Sequence, residues 1–167
     1  MSRAYAYSGS AISTIDDKGR LSVPAFLRKN LVESSEGRIL CLGTHEKWDC
    51  LVGFGLSRKA DMLNEIDKQW EAAIALGDSF DKDAAGARKF SSLQDLSFDT
   101  SGRFILPPHL MEIGNIDGNV LFHGIGTTFC LWNPQALLET TDDVPVDRRL
   151  VKHLLKEAGQ KSGGKQK

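Results

Sequence analysis

One motif occurs twice in this chain, and it constrains the fold more than any other feature. Ile15-Asp16-Asp17-Lys18-Gly19-Arg20-Leu21-Ser22-Val23-Pro24 returns as Phe98-Asp99-Thr100-Ser101-Gly102-Arg103-Phe104-Ile105-Leu106-Pro107. In each copy an acid precedes a Gly-Arg pair by three residues, a mainly apolar run follows, and proline closes it. Asp16 and Asp99, Gly19 and Gly102, Arg20 and Arg103, Pro24 and Pro107, and Leu27 and Leu110 are each 83 residues apart. Such self-similarity makes one supersecondary unit, used twice, the object to explain. A unit of roughly 50 residues buries too little apolar surface to be safely stable alone, so the halves are expected to share one core.

The correspondence continues downstream. Ile39-Leu40-Cys41-Leu42-Gly43 lines up with Val120-Leu121-Phe122-His123-Gly124, and Cys50-Leu51 with Cys130-Leu131. Tyr5 to Thr14 suits a strand entering a tight connection at Asp-Asp-Lys-Gly, and Leu21-Ser22-Val23 suits the returning strand. Pro24 can open a helix over Ala25–Leu31, because its missing N–H would be unpaired there anyway. Ile39–Leu42 and Cys50–Phe54 read as strands around the polar loop from Thr44 to Lys47. Ser57 can cap a helix to about Leu76, with Leu63, Ile66, Trp70, Ala73 and Ile74 at helical spacing as a core or subunit-contact stripe. Later strands fall at Val120–Phe122 and Thr128–Trp132, and Asn133-Pro134 opens a helix over Gln135–Thr140.

The fold class expected is therefore mainly β with short helices, an antiparallel α+β chain. Its organisation divides into residues 1–76, the first half with its helix; 77–88, an Asp/Gly/Ala-rich linker; 89–140, the second half; and 141–167, a tail. The tail combines a basic amphipathic helix, bearing Leu150, Val151, Leu154 and Leu155, with a Gly-Gly-Lys-Gln-Lys end read as disordered.

Physically, Asp-x-x-Gly-Arg is a turn device: the carboxylate accepts turn N–H groups, glycine permits positive φ, and arginine leaves on the far side. This makes Asp16, Gly19, Asp99 and Gly102 turn-organising residues. A single copy would be satisfied as a solvated hairpin. Two copies with arginine at one turn position change that, because pseudo-symmetric halves would carry Arg20 and Arg103 on one face as a pair of prongs. Guanidinium groups suit phosphates and guanine edges, where a good bidentate base contact gives about 1–3 kcal/mol of discrimination.

The segment from Ile15 to Arg28, together with Tyr7-Ser8-Gly9, Cys50-Leu51, Asp99 to Leu110, Gly124 and Leu131-Trp132, resembles the MraZ family of tandem AbrB-like (SpoVT-AbrB) transcriptional regulators. The resemblance runs over nearly the whole chain to about Thr140. It implies two swapped-hairpin halves forming one pseudo-twofold β-barrel, assembly of a homo-oligomeric ring, and binding of double-stranded DNA at short direct repeats. The implied target is the promoter of the protein's own division and cell-wall gene cluster, with repression the implied sign. By motif position Arg20 and Arg103 would contact DNA, and Lys18 a phosphate. Met111, Cys130 and Gly55 depart from the usual family pattern. Thr100-Ser101 replaces Asp17-Lys18, so the second prong lacks an adjacent cation.

Net charge is −1, so no basic field covers the molecule. The charge is segregated instead: +3 over residues 1–31, +5 over 147–167 and −9 between them. A locally positive face can thus exist on a mildly acidic protein. No apolar run approaches the roughly 20 residues that span a bilayer, and Met1–Tyr7 lacks a secretory h-region, so a cytoplasmic location is expected with no membrane partner, and the family resemblance implies a nucleoid-associated one. Cys41, Cys50 and Cys130 form an odd set without CxxC spacing and read as buried apolar side chains.

An enzyme would have to use His45, His109, His123 or His153 with these cysteines, and no pair has catalytic spacing. Cys41-x3-His45 with Cys50 makes a poor zinc set. No Walker loop, nucleophile elbow or HExxH occurs. The expectation is a non-enzymatic chain without metal, cofactor or small-molecule substrate. The remaining alternative is a structural ring or interaction module whose arginines form subunit salt bridges.

Overall fold

Alternating apolar positions and glycine-bearing turns organise the chain into strands that pair antiparallel throughout. The computed structural model describes residues 5–163, with side chains described to 160. In chain order the elements are β1 (Ser10–Thr14), β2 (Arg20–Ser22), α1 (Ala25–Ser35), β3 (Ile39–Thr44), β4 (Leu51–Phe54), α2 (Arg58–Ala75), α3 (Lys82–Phe90), β5 (Gln94–Ser97), β6 (Arg103–Ile105), α4 (Pro108–Ile113), β7 (Asn119–Gly124), β8 (Phe129–Trp132), α5 (Pro134–Glu139) and α6 (Arg148–Gly163).

Six strands form one sheet in the order β1-β7-β8-β4-β3-β5, and β2 and β6 form a separate two-stranded ribbon. The order is palindromic under the repeat: exchanging each element with its counterpart reverses the sheet onto itself. Leu51 lies opposite Leu131 in the central β4–β8 pair, and Leu21 opposite Phe104 in the ribbon. Both are repeat-equivalent pairs, so the pseudo-twofold axis passes through them. Strand pairing crosses between the halves, with β1 on β7 and β5 on β3.

Three expectations change on contact with the structure. First, no closed barrel forms among the described residues; the chain leaves each end strand, β1 and β5, through an Asp-x-x-Gly-Arg turn, and the residues after the turns pair with each other as the ribbon. Second, the stretch 77–88 read as linker holds most of α3, which runs on to Phe90 in the second half and whose Asp81 carboxylate accepts the Ala84 N–H at 3.0 Å as an N-cap. Third, the match of Ile39 to Val120 slips by one. Thr14 pairs with Asn119, and its equivalent Ser97 pairs with Ile39, so β3 and β7 correspond at an offset of 80 residues. Of the C-terminal stretch 163–167 read as disordered, Gly163 is the last residue of α6 and the rest lies outside the described residues.

The sheet has apolar cover on both faces. Val120, Phe122, Phe129 and Leu131 join Leu21, Phe104, Leu27 and Leu110 in the larger core under the ribbon, α1 and α4. Their strand neighbours Leu121, Cys130 and Trp132 point the other way, to Leu137 of α5 and Val151 of α6. This is the period-two alternation of a strand buried on both sides. All three cysteines are free and buried. Ser57 precedes α2 without capping it, because its hydroxyl is bonded to that of Ser34 at 2.5 Å. No helix among the described residues is long and apolar enough to cross a membrane.

Candidate nucleic-acid interface

Each turn is closed by its own aspartate through the same three donors. Asp16 Oδ1 accepts the N–H groups of Lys18 and Arg20, both at 2.9 Å, and Oδ2 accepts Arg20 Nε at 2.5 Å. Asp99 Oδ1 accepts from Ser101 and Arg103, both at 2.9 Å, and Oδ2 accepts Arg103 Nε at 2.9 Å. The backbone bonds recur as well, with Gly19 N–H donating to Asp16 O and Gly102 N–H to Asp99 O. Gly19 and Gly102 have φ of +79° and +82°, a region where a Cβ meets backbone. The arginine N–H groups, and with them the guanidiniums, hold both carboxyls below the ordinary carboxylate range.

The turns are then tied to each other. Val23 N–H donates to Gly102 O and Leu106 N–H to Gly19 O, each at 2.8 Å, at the two ends of the ribbon. The register sets Arg20 opposite Ile105 and Ser22 opposite Arg103. Leu21 and Phe104 are buried beneath, so Arg20, Ser22, Arg103 and Ile105 share the outer face. Arg20 and Arg103 are diagonal neighbours there, about 7–8 Å apart by ordinary sheet geometry. Their side chains are 59% and 67% exposed. Nε of each is held by its aspartate, and among the described residues no protein acceptor is bonded to the outer guanidinium nitrogens. A shallow groove of about 380 Å³ runs between Thr14, Asp16, Ser22 and the two arginines.

Lys18 stands exposed at the tip of the first turn. It borders a second recess, with Gly19, Ile105 and Met111. Arg28 and Met111, named from the sequence only as positions that match or depart from the family pattern, have geometric roles. Arg28 Nε donates to Val23 O at 2.9 Å, and its guanidinium packs where a Cβ on Gly102 would be. Met111, its repeat equivalent, lies beside Gly19 more loosely, with its Sδ 3.6 Å from the position a Cβ would take there. Thus α1 backs the second turn and α4 the first; the offset of 83 residues, applied to Arg28 and Met111, carried that signal. Ile105 was missed because the apolar run Phe104-Ile105-Leu106 has no alternation to mark which residue faces out, whereas Ile105 is 63% exposed.

The materials for the alternative enzymatic site are dispersed. Cys41 belongs to the larger core and Cys50 to the smaller, while His45 stacks on Trp48 with ring centroids 4.4 Å apart. Among the described residues no group of three or more His, Cys, Asp or Glu is placed to hold a metal ion. Burial pushes the Cys41 thiol up to about 12, so its thiolate is suppressed at neutral pH.

The arrangement defines an internally duplicated, antiparallel α+β protein in which two Asp-x-x-Gly-Arg turns converge on one ribbon and present paired guanidinium groups. No protein-family model matches the chain. It is nevertheless 32% identical to the transcriptional regulator MraZ of Saccharophagus degradans, over 89% of this chain and 97% of that protein. It is 29% identical to the protein of the same name from Rhodospirillum rubrum, over 78% of this chain and 81% of that one. With the Roseiflexus castenholzii protein of that name the identity is 29%, covering 77% and 82%. The chain belongs to the MraZ family.

Proposed function

We propose that this protein is a sequence-specific DNA-binding transcriptional regulator, not an enzyme, and that Arg20, Arg103 and Lys18 form its DNA contact. The observation that carries the proposal is the ribbon: two solvent-exposed guanidinium groups, each fixed at Nε by an aspartate, stand diagonally on one outer face. A two-stranded ribbon fits the major groove, where arginine recognises guanine O6 and N7 with two parallel bonds. Fixing Nε in advance reduces the side-chain entropy lost on binding. Lys18 adds a phosphate contact beside Arg20 only.

Family membership supports the finer part of the proposal: short direct repeats upstream of the protein's own division and cell-wall genes as target, repression as outcome, and a homo-oligomeric ring as the acting form. Exposed Leu63, Trp70 and Ile74 on α2 supply an apolar surface suited to subunit contact. The exchange of β1 and β5 between halves supports the swapped-hairpin arrangement. A ring carrying several ribbons sums weak contacts through effective concentration, so affinity should rise with the number of boxes.

The test is fluorescence anisotropy with a labelled duplex from upstream of the protein's own gene against a shuffled duplex, run with light scattering. Wild type is expected to prefer the native duplex. The Arg20→Ala, Arg103→Ala double variant is expected to lose that preference while keeping its assembled mass. A variant that loses its assembled mass instead would favour a structural ring with the arginines in subunit contacts.

A further inference from the structure

The outer face of the ribbon breaks the pseudo-twofold symmetry that the rest of the ribbon obeys. Repeat-equivalent residues cross the axis as pairs, so Arg20 answers Arg103 and Leu21 answers Phe104. Ser22 and Ile105 are equivalent too, yet one is a small hydroxyl and the other a large branched hydrocarbon. Each sits directly opposite the arginine of the other strand: Ile105 opposite Arg20, Ser22 opposite Arg103. The face is therefore two unlike couples, Arg–Ile and Arg–Ser.

Burial among the described residues does not account for isoleucine at this position. Its strand neighbours Phe104 and Leu106 are buried in the core, whereas Ile105 is 63% exposed beside Arg20 and above the open recess next to Lys18. One methyl group, Cγ2, reaches toward Gly19, with 3.8 Å to the position a Cβ would take there. An exposed aliphatic side chain amid guanidinium groups has a chemical counterpart in the major groove. Thymine alone places a methyl group there, and apolar side chains recognise it by burying it.

We propose that Ile105 is a specificity-determining residue that packs on a thymine 5-methyl group next to the base contacted by Arg20. The inference rests on the DNA-binding proposal above. It adds that the two halves of the ribbon read different base pairs: the Arg20–Ile105 couple requires thymine, and the Arg103–Ser22 couple does not. The preferred element of one ribbon is then directional, because a twofold-symmetric sequence would offer the same methyl group to serine.

The experiment replaces every thymine of the upstream duplex by deoxyuridine, which removes the methyl group and keeps base pairing, and measures both duplexes with wild type and Ile105→Ser. Burying one methyl group corresponds to about a fourfold change in affinity. Wild type is expected to bind the deoxyuridine duplex roughly fourfold more weakly per ribbon engaged, and Ile105→Ser to bind the two duplexes alike. Because Ile105 is exposed, the substitution spares the core; circular dichroism and assembled mass check this. Equal loss in wild type and Ile105→Ser would overturn the inference while leaving DNA binding intact. Wild type failing to prefer the native duplex over the shuffled one would instead overturn the DNA-binding proposal, and this inference with it.

Discussion

The two Asp-x-x-Gly-Arg turns share every internal hydrogen bond but differ in what surrounds them. The second turn is braced by a charged, hydrogen-bonded side chain, Arg28, and carries Thr100-Ser101 at its tip. The first is backed by the flexible thioether of Met111 and carries Asp17-Lys18. The repeat thus preserves the part that aims an arginine and varies the parts that hold the turn down and meet the solvent. One turn is the better anchored, the other carries an extra cation, Lys18, beside Asp17.

Substituting the turn glycines should expose the difference in anchoring most strongly. Alanine at positive φ costs about 1–2 kcal/mol at either site. At Gly102 the new Cβ would also stand 2.5 Å from Arg28 Nε and 2.7 Å from Val23 O, whereas at Gly19 the nearest atom is Leu106 O at 3.0 Å. Gly102→Ala should therefore lose about 2–4 kcal/mol and Gly19→Ala about 1–2 kcal/mol in denaturant unfolding, the excess reflecting enforced repacking. Equal losses would mean that Arg28 yields as easily as Met111.

Separating the arginines tests the difference in charge. Each single alanine variant should lose about 1–3 kcal/mol of discrimination between native and shuffled duplex. Arg20→Ala should lose more, because its cross-strand partner Ile105 reads the adjoining base, whereas Arg103 faces Ser22. Arg103→Ala proving the more damaging would reverse the assignment of the stronger prong. A smaller effect is expected from the turn tips. Lys18→Ser should flatten the slope of log affinity against log salt by about 0.9 per ribbon engaged, and Ser101→Lys should steepen it by a similar amount. Neither change should alter base preference, since phosphate contacts position without specifying.

Much of this comparison was legible in the sequence, and the limits have physical causes. The offset of 83 residues located both turns, their acids and their arginines, because turn chemistry is local and needs those residue types. Strand registers were less accessible. Ile39-Leu40-Cys41-Leu42 and its counterpart are apolar on both faces, so no alternation marks which residue faces which way, and the alignment slipped by one. The open sheet in place of a barrel is set by long-range pairing of β2 with β6 that no local pattern announces. The helix α3 lay concealed in a segment rich in Asp and Gly, although Asp81 three residues before Ala84 was a capping signal. Ile105 lay unmarked in the apolar run Phe104-Ile105-Leu106, because only pairing with β2 shows that its side of the strand faces out.

Acidification should affect the two turns alike and is the smallest effect expected near neutrality. Both aspartates have depressed carboxyl pKa values in the fold, each caused first by the arginine N–H of its own turn. Their stabilisation is complete above the unfolded aspartate value of about 3.9 and is lost as pH falls through the lower folded value. Between pH 7 and 5 neither turn should loosen. His45 and His123 behave oppositely, since burial lowers both pKa values and the fold disfavours their charged forms. Below the unfolded histidine value of about 6.5 the unfolded chain binds protons that the folded chain does not, so stability declines from there. Global unfolding should therefore become easier below about pH 6.5, while amide exchange at Arg20 and Arg103, corrected for that global change, stays protected until below about pH 4. Early exchange at one arginine alone would show that the two carboxylates, despite the same three donors, do not hold their turns equally.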